Sequence, residues 1–339
     1  MSRLAETWRR TAWAGAGVLP WTLRTLSLPL EGIYRLGVAI RNRAFDYGVL
    51  PTREGPVPVV SVGNLSVGGT GKTPLTSWIV REFLALGSRP AVVSRGYGED
   101  ELMLHARWNP SVEPIVAPRR IEGVRQAAER GATVAVLDDG FQHRWTRRRL
   151  DIVLLAAEQP FPAPLLPRGP FREPAASLRR ADLVVITRKT ATEEAARTVE
   201  RRIRARYPDL VVHQVELTPS GWTDLTGRTV QAPEGPTLAV ASVAAPETFA
   251  GLVERLVGTA PALVEYPDHH AYSAQDAESL RGRAGDRTLV TTEKDAVKLV
   301  AYAERLNDVH VLTLTVAEGE GAVALRAALA EVVGTDAGS

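Results

Sequence analysis

The chain contains no cysteine and only two methionines in 339 residues. Disulfides, a thiolate nucleophile, a Cys-ligated zinc and an iron–sulfur cluster are thereby excluded. The absence fits a reducing compartment without establishing one. Lysine is almost as scarce, occurring at Lys72, Lys189, Lys294 and Lys298 alone; 41 basic residues minus 4 leaves 37 arginines. Such a bias reflects genome composition, but it makes each lysine conspicuous. Net charge is also lacking: 41 basic against 39 acidic residues gives +2, too little to argue for a nucleic-acid partner. Long hydrophobic runs are missing near the N-terminus. Thr11 to Leu23 is uncharged, but it is interrupted by Pro20 and falls short of the roughly 20 residues that span a bilayer. It has no small-residue cleavage site of the kind that ends a signal peptide.

What remains is an ordinary globular composition, 45% hydrophobic and 24% charged, long enough for two domains each with its own core. The small net charge hides an asymmetry. Residues 1–50 carry seven arginines and three acids (net +4), leaving −2 for the rest. This segment interleaves arginine with Trp13, Trp21, Leu26, Leu28, Leu30, Ile33, Tyr34, Leu36, Val38 and Ile40. Two readings stand open: a helix lying in a membrane interface, or an amphipathic helix packed on the protein's own core.

From Val57 onward, short apolar runs alternate with helical patterns. Strands are expected at 57–62, 89–94, 133–137, 151–155 and 182–186, and helices near 76–86, 119–130 and 192–206. Nearly continuous apolar strands separated by helices predict an α/β fold with a mostly parallel sheet covered on both faces. Leu217 to Pro236, richer in Gly, Pro and Thr, reads as a linker. Beyond it, strands at 237–241, 288–291 and 311–316 and helices near 247–256 and 322–333 predict a second, smaller α/β unit. The expected organisation is an N-terminal helical segment over 1–50, a phosphate-loop domain over 51–220 and a smaller domain over 221–339.

The first strand runs into Gly63-Asn-Leu-Ser-Val-Gly-Gly-Thr-Gly-Lys-Thr-Pro74. Glycines at a strand-to-helix junction let backbone N–H groups face phosphate oxygens at a positive helix end. In such a loop Lys72 reaches the β- and γ-phosphates and the Thr73 hydroxyl meets Mg²⁺. The strict pattern wants glycine where Ser66 stands. The third strand runs into Asp138-Asp139-Gly140-Phe141-Gln142-His143, carboxylates placed where such a fold holds its metal. Adjacent acids on an extended chain point to opposite sides and so serve different purposes.

These two motifs resemble those of the bacterial tetraacyldisaccharide 4′-kinases, which phosphorylate a lipid A precursor. Ser94-Arg-Gly-Tyr-Gly98, Leu166-Pro-Arg-Gly-Pro-Phe-Arg-Glu-Pro174, Pro267-Asp268-His269-His270 and Thr292-Glu-Lys-Asp-Ala-Val-Lys298 match four more family segments in order. The resemblance implies a P-loop NTPase-type fold of two domains at the cytoplasmic face of the inner membrane, peripheral or monotopic. It implies ATP and Mg²⁺ as cofactors, an acylated disaccharide 1-phosphate as substrate and a membrane surface met by the N-terminal segment. Ser66, Val67, Gly68, Gly69, Thr70, Gly71, Lys72 and Thr73 would cradle the nucleotide. Thr73, Asp138, Asp139 and Glu173 would surround the metal, with Lys72, Asp138 and Arg172 catalytic. Asp100 paired with His269 would activate the sugar hydroxyl, with Glu99 and Glu101 as rivals for Asp100.

The chain departs from the family in two places. The insert before Asp100 is short, with Leu102 where the family has proline, and Ala241 to Pro246 lacks the family's glycines. Lys294 is open between a solvated charge and a site role. His270 reads as structural, and His105, His213 and His310 carry no context. Arg144, Arg147, Arg148 and Arg149 read as a solvated face or as a partner for a lipid phosphate. A P-loop GTPase or metal-insertion chaperone is the alternative, but no Asn-Lys-x-Asp motif or Cys/His cluster supports it. A non-catalytic membrane adaptor is opposed by the retention of Lys72, Asp138 and Asp139.

Overall fold

The computed structural model describes residues 8, 11, 13, 18–96 and 99–334. Most of residues 1–17, Tyr97 and Gly98 of the Arg-Gly-Tyr-Gly segment, the side chain of Glu99 and the Ala/Gly tail lie outside the described residues. Two helices come first, α1 (Val18–Leu26) and α2 (Leu28–Asp46). The first α/β unit follows with β1 (Val59–Asn64), α3 (Lys72–Ala85), β2 (Pro90–Ser94), α4 (Glu99–Trp108) and β3 (Ile115–Val116). It continues with α5 (Arg120–Glu129), β4 (Val134–Asp138), β5 (Leu150–Ala156), β6 (Leu183–Arg188) and α6 (Glu193–Arg206). The long strand β7 (Val211–Thr223) leads to β8 (Thr229–Val230), β9 (Thr237–Ala241), α7 (Pro246–Val257) and β10 (Ala262–Glu265). Then come α8 (Ala274–Ala284), β11 (Thr288–Thr292), α9 (Glu293–Leu299), β12 (Val309–Val316) and α10 (Glu320–Gly334).

The strands join one sheet in the order β10-β9-β11-β12-β7-β6-β5-β1-β4-β2-β3, with β8 on the flank of β7. Each pairing is parallel except those of β7 with β12 and β8. The expected coverage on both faces is visible residue by residue. Val60, Val62, Val136, Ile152 and Leu154 pack toward α3, whereas Val59, Ala135 and Leu137 pack toward α5, and Val153 and Leu155 toward α6. The period of two along each strand makes this alternation, and burial on both sides is why the strands read as unbroken apolar runs.

Two expectations are corrected. The segment from Leu217 is not a linker at its start. Val211 to Glu216 pairs parallel with β6, and Leu217 to Thr223 continues the same strand antiparallel to β12. Thr and Gly are tolerated there because that half of β7 is only partly buried. Helix α10, read as part of the second unit, packs on the first. Ala322, Leu325, Leu329 and Val332 join the core formed by Leu75, Trp78, Ile79 and Phe83. Gly321 permits the approach, since a Cβ there would lie 1.8 Å from the Gln214 carbonyl oxygen.

Helix α2 is inverted. Its inward face is polar or aromatic: buried Glu31 accepts from the Leu165 N–H and the Arg168 guanidinium, and Asn42 donates to Glu173. Arg41 donates to the Gln142 carbonyl, and Phe45 meets Trp145 edge-on at 5.0 Å. Its outward face is apolar, with Leu30, Ile33, Leu36 and Ile40 each more than half exposed, and Leu19, Trp21 and Leu26 of α1 extend the patch. Among the described residues no helix is long and apolar enough to cross a membrane.

Candidate active site

The phosphate loop leaves the carboxyl end of β1 at the middle of the sheet and enters α3. Gly71 takes φ +83°, the left-handed region that glycine reaches without strain, and a Cβ there would also lie 2.5 Å from Leu217 Cδ1. The loop is braced from β6, where the Thr187 hydroxyl donates to the Thr70 carbonyl at 2.9 Å and Lys189 Nζ donates to the Gly69 carbonyl at 3.1 Å. Ser66, standing where a glycine was expected, uses its hydroxyl to bond Gln159 at 2.8 Å. Lys72 and Thr73 open the first turn of α3.

Because β4 is the neighbour of β1, the end of β4 puts Asp138 and Asp139 beside this loop. The turn fits closely against β1: a Cβ on Gly63 would lie 2.5 Å from that of Phe141. Asp139 adopts φ +55°, one of two non-glycine residues in the left-handed region among the described residues; His269 is the other, at +62°. Strained backbone of this kind concentrates at functional sites. The Asp139 carboxylate is gripped by Arg172 in a two-pronged pair at 2.8 and 2.9 Å and lies 3.6 Å from Lys72 Nζ. Burial alone would raise its pKa, but Lys72 and Arg172 hold it far below the carboxylate range. Arg172 also reaches the Asn64 side chain, which donates to the Thr70 hydroxyl at 2.7 Å, so loop and acidic turn form one hydrogen-bonded unit.

Asp138 faces elsewhere, as the opposite-sides argument requires. Its carboxylate meets His105 Nε2 at 2.8 Å and the Thr76 hydroxyl at 3.5 Å. His105, which carried no context in the sequence, is almost fully buried on α4. An ionised carboxylate only accepts, so His105 carries its proton on Nε2 and orients Asp138. The available sequence signal was its position four residues after Glu101, hence on the same helical face.

Helix α4 also carries Asp100, which the fold brings to His269. His269 Nδ1 lies 3.0 and 3.1 Å from the two Asp100 oxygens, although 169 residues separate them. Burial would raise the Asp100 carboxyl, but the His269 hydrogen bond, Lys294 and Lys298 hold it below its ordinary value. The neighbouring Glu101 goes the other way. Burial and the Asp138 charge push it up to about 8, so it can donate a proton where Asp100 accepts one. α4 is tied to the second unit at its far end, through Arg107 to the Leu225 carbonyl and Trp108 to Glu293.

A cleft of about 800 Å³ opens beside the acidic turn, its wall including Arg41, Arg95, Arg119, Arg120, Arg172 and Arg53 against Glu101, Asp138 and Asp139. Six guanidinium groups against three acids suit a phosphorylated guest. His143 on the same wall is held neutral, burial and Arg120 pushing it down to about 4. Glu173 is not brought to this wall. It is buried, with its carboxylate bonded to Arg180 and Asn42, and so is a scaffold acid beneath α2 rather than a neighbour of Asp138. The basic run is mostly structural too: Arg144 holds the Asn42 carbonyl and Asp46, and Arg148 holds Asp151. Among the described residues no group of three or more His, Cys, Asp or Glu could hold a metal ion. The remaining donors, the Asp138 and Asp139 carboxylates and the Thr73 hydroxyl, are hard oxygens of the kind Mg²⁺ takes when phosphates and water complete its shell.

A family model described as tetraacyldisaccharide-1-P 4′-kinase matches residues 23–104 and 98–333. Curated tetraacyldisaccharide 4′-kinases are similar along nearly the whole chain. That of Chlorobium luteolum is 36% identical over 92% of this chain and 98% of its own length. That of Syntrophotalea carbinolica is 39% identical over 88% and 90%, and that of Anaeromyxobacter sp. strain K 37% identical over 92% and 91%. Among solved structures, LpxK from Aquifex aeolicus, crystallised in complex with ATP, superposes with a TM-score of 0.72 at 26% identity, covering 92% of this chain and 99% of that one. With the phosphate loop, the acidic turn and the Asp–His pair assembled on one sheet edge, the chain belongs to the tetraacyldisaccharide 4′-kinase family.

Proposed function

We propose that this protein transfers the γ-phosphoryl group of ATP to the 4′-hydroxyl of a tetraacylated disaccharide 1-phosphate at the cytoplasmic face of the bacterial inner membrane. The observation that carries the reading is the meeting of three elements: the Lys72 loop, the Arg172-clamped Asp139, and Asp100 of this unit paired with His269 from the other. Residues 51–220 act as the kinase unit and 221–339 as the smaller unit that delivers His269, with α10 returning to the first.

In this reading the backbone of residues 66–73 and Lys72 hold the triphosphate, and Thr73, Asp138 and Asp139 hold Mg²⁺, which when bound neutralises phosphate charge. Arg172 keeps Asp139 ionised and aimed. The Asp100 carboxylate accepts the hydroxyl proton while His269 orients it, and phosphoryl transfer otherwise depends on positioning and charge neutralisation. The arginines of the cleft take the sugar phosphate. The outward apolar face of α1 and α2 lies in the membrane interface above the cleft, and the net +4 of residues 1–50 adds attraction to anionic lipid.

The test is turnover of tetraacyldisaccharide 1-phosphate with ATP and Mg²⁺, followed as the 4′-phosphorylated product. Folded protein that binds ATP and yields no such product would sink the proposal.

A further inference from the structure

Lys294 lies 3.2 Å from His269 Nε2, the ring nitrogen turned away from Asp100. It is the second residue of α9, whose first turn is fixed by the Thr292 hydroxyl accepting from the Asp295 N–H. Its ammonium also donates to Asp268 at 3.2 Å and stands 3.7 Å from Asp100. One turn on, Lys298 bonds the Ser242 hydroxyl at 2.7 Å and Asp295 at 3.1 Å, and stands 3.9 Å from Asp100. The imidazole is thus clasped between a carboxylate and an ammonium, on a residue whose backbone is already in the left-handed region.

An ammonium has three donors and no acceptor. Nε2 must therefore present its lone pair to Lys294, which leaves the ring proton on Nδ1, facing Asp100. We propose that Lys294 is a positioning residue that keeps Nε2 of His269 bare, so that the imidazole stays singly protonated on the Nδ1 facing Asp100 and Asp100, not the imidazole, accepts the sugar proton. A proton arriving at Nε2 would have to displace a cation held by Asp268 as well. The inference rests on the kinase reading of this site and deepens it.

The step balances. The 4′-oxygen forms its bond to the γ-phosphorus, the bond from that phosphorus to the β,γ-bridging oxygen breaks with its electron pair leaving on ADP, and the hydroxyl proton passes to an Asp100 oxygen. His269 keeps its single proton throughout. The groups facing the imidazole are Asp100 from α4 at Nδ1, and Lys294 from α9 and Asp268 of its own loop at Nε2, with Lys298 behind Asp100. Without Lys294, Nε2 loses the cation that faces it and keeps Asp268 4.0 Å away, so a second ring proton there is no longer opposed.

The experiment uses the full chain with ¹⁵N-labelled histidine and long-range ¹H–¹⁵N correlation, His269 being assigned by its loss in His269→Gln. Wild-type protein should show Nδ1 protonated and Nε2 bare between about pH 6 and 8. In Lys294→Met the Nε2 position should gain a proton, kcat should fall about ten-fold or more with the KM for ATP nearly unchanged, and the acid limb of the rate profile should move to higher pH. Lys294→Arg should restore both tautomer and most of the rate. An unchanged His269 pattern in Lys294→Met would overturn the proposal, as would a raised KM for ATP at unchanged kcat, which would make Lys294 a phosphate ligand. The spectrum also reports folding, and Lys294→Ala gives the same comparison should the Met variant not fold. The tautomer is read without turnover, so an inactive wild-type enzyme would count against the kinase reading alone.

Discussion

Glu173→Gln separates a scaffold acid from a metal ligand. Glu173 is 1% exposed, and Arg180 reaches it with two nitrogens at 3.0 and 3.2 Å while Asn42 of α2 donates at 2.8 Å. Glutamine keeps an acceptor oxygen but loses the charge and turns an NH₂ group toward a guanidinium or an amide. Two charge-assisted bonds of roughly 1.5–3 kcal/mol each are exchanged for about one neutral bond near 1 kcal/mol, a net loss of about 2–5 kcal/mol. The pH dependence has a definite sign. Burial would raise the Glu173 pKa, but Arg180 and Asn42 bring it below its ordinary 4.5. Its stabilisation is therefore full above about pH 4.5 and lost as pH falls through the folded value. The variant should lose stability at pH 7, and its acid slope should be shallower by up to about 1.4 kcal/mol per pH unit, one proton's worth. Urea unfolding at pH 7 and pH 4, with the Mg²⁺ dependence of the rate alongside, measures both. Unchanged stability at pH 7 together with a lost rate that excess Mg²⁺ restores would refute the scaffold assignment and return Glu173 to the metal.

Asp139→Asn retains the left-handed backbone, which asparagine tolerates, yet removes the charge facing Lys72 and Arg172; turnover should drop by at least about a hundred-fold while nucleotide binding, followed by fluorescence titration, largely survives. Gly71→Ala places a methyl at φ +83° against Leu217 and should weaken ATP binding at least about ten-fold by calorimetry, since strain and overpacking each cost on the order of 1–3 kcal/mol. Trp21→Ser with Ile33→Ser removes two outward side chains that are each about two-thirds exposed; sedimentation with anionic vesicles should fall several-fold with the melting temperature unchanged, and unaltered partitioning would remove α1 and α2 from the interface. In metal-free protein, the Glu101 carboxyl should titrate near 8 by carbon-detected NMR, and an ordinary value would mean that Asp138 and burial do not act on it as described.

The strands of the first unit were legible because burial on both faces leaves apolar runs that no loop would carry. The phosphate loop and Asp138-Asp139 were legible because glycine spacing and paired acids are local signals. α4 was not, since a short charged helix after a glycine-rich segment has too little apolar periodicity to stand out. α8 was missed although it starts with a capping box from Ser273 to Asp276. Glu173 was placed among the metal ligands by the resemblance of its segment to the family's. Successive residues of an extended segment face opposite ways, so Arg172 turns to Asp139 and Glu173 to Arg180.

By itself the amino-acid sequence determined the α/β architecture, the nucleotide loop, the family and the basic, apolar character of the N-terminal segment, because each is written in spacing or composition along the chain. Only the tertiary structure decided which groups meet. The apolar face of α2 looks outward because Glu31, Asn42 and Phe45 are held inward by partners more than 90 residues away. α10 serves the first unit because the gap it fills lies beside α3. Three of the four lysines, scarce from the outset, crowd the reaction site at Lys72, Lys294 and Lys298, and Lys189 braces the phosphate loop. Their convergence depends on a fold that brings Lys72 to Asp139, and Lys294 and Lys298 to Asp100 beside His269, a proximity that no local pattern encodes.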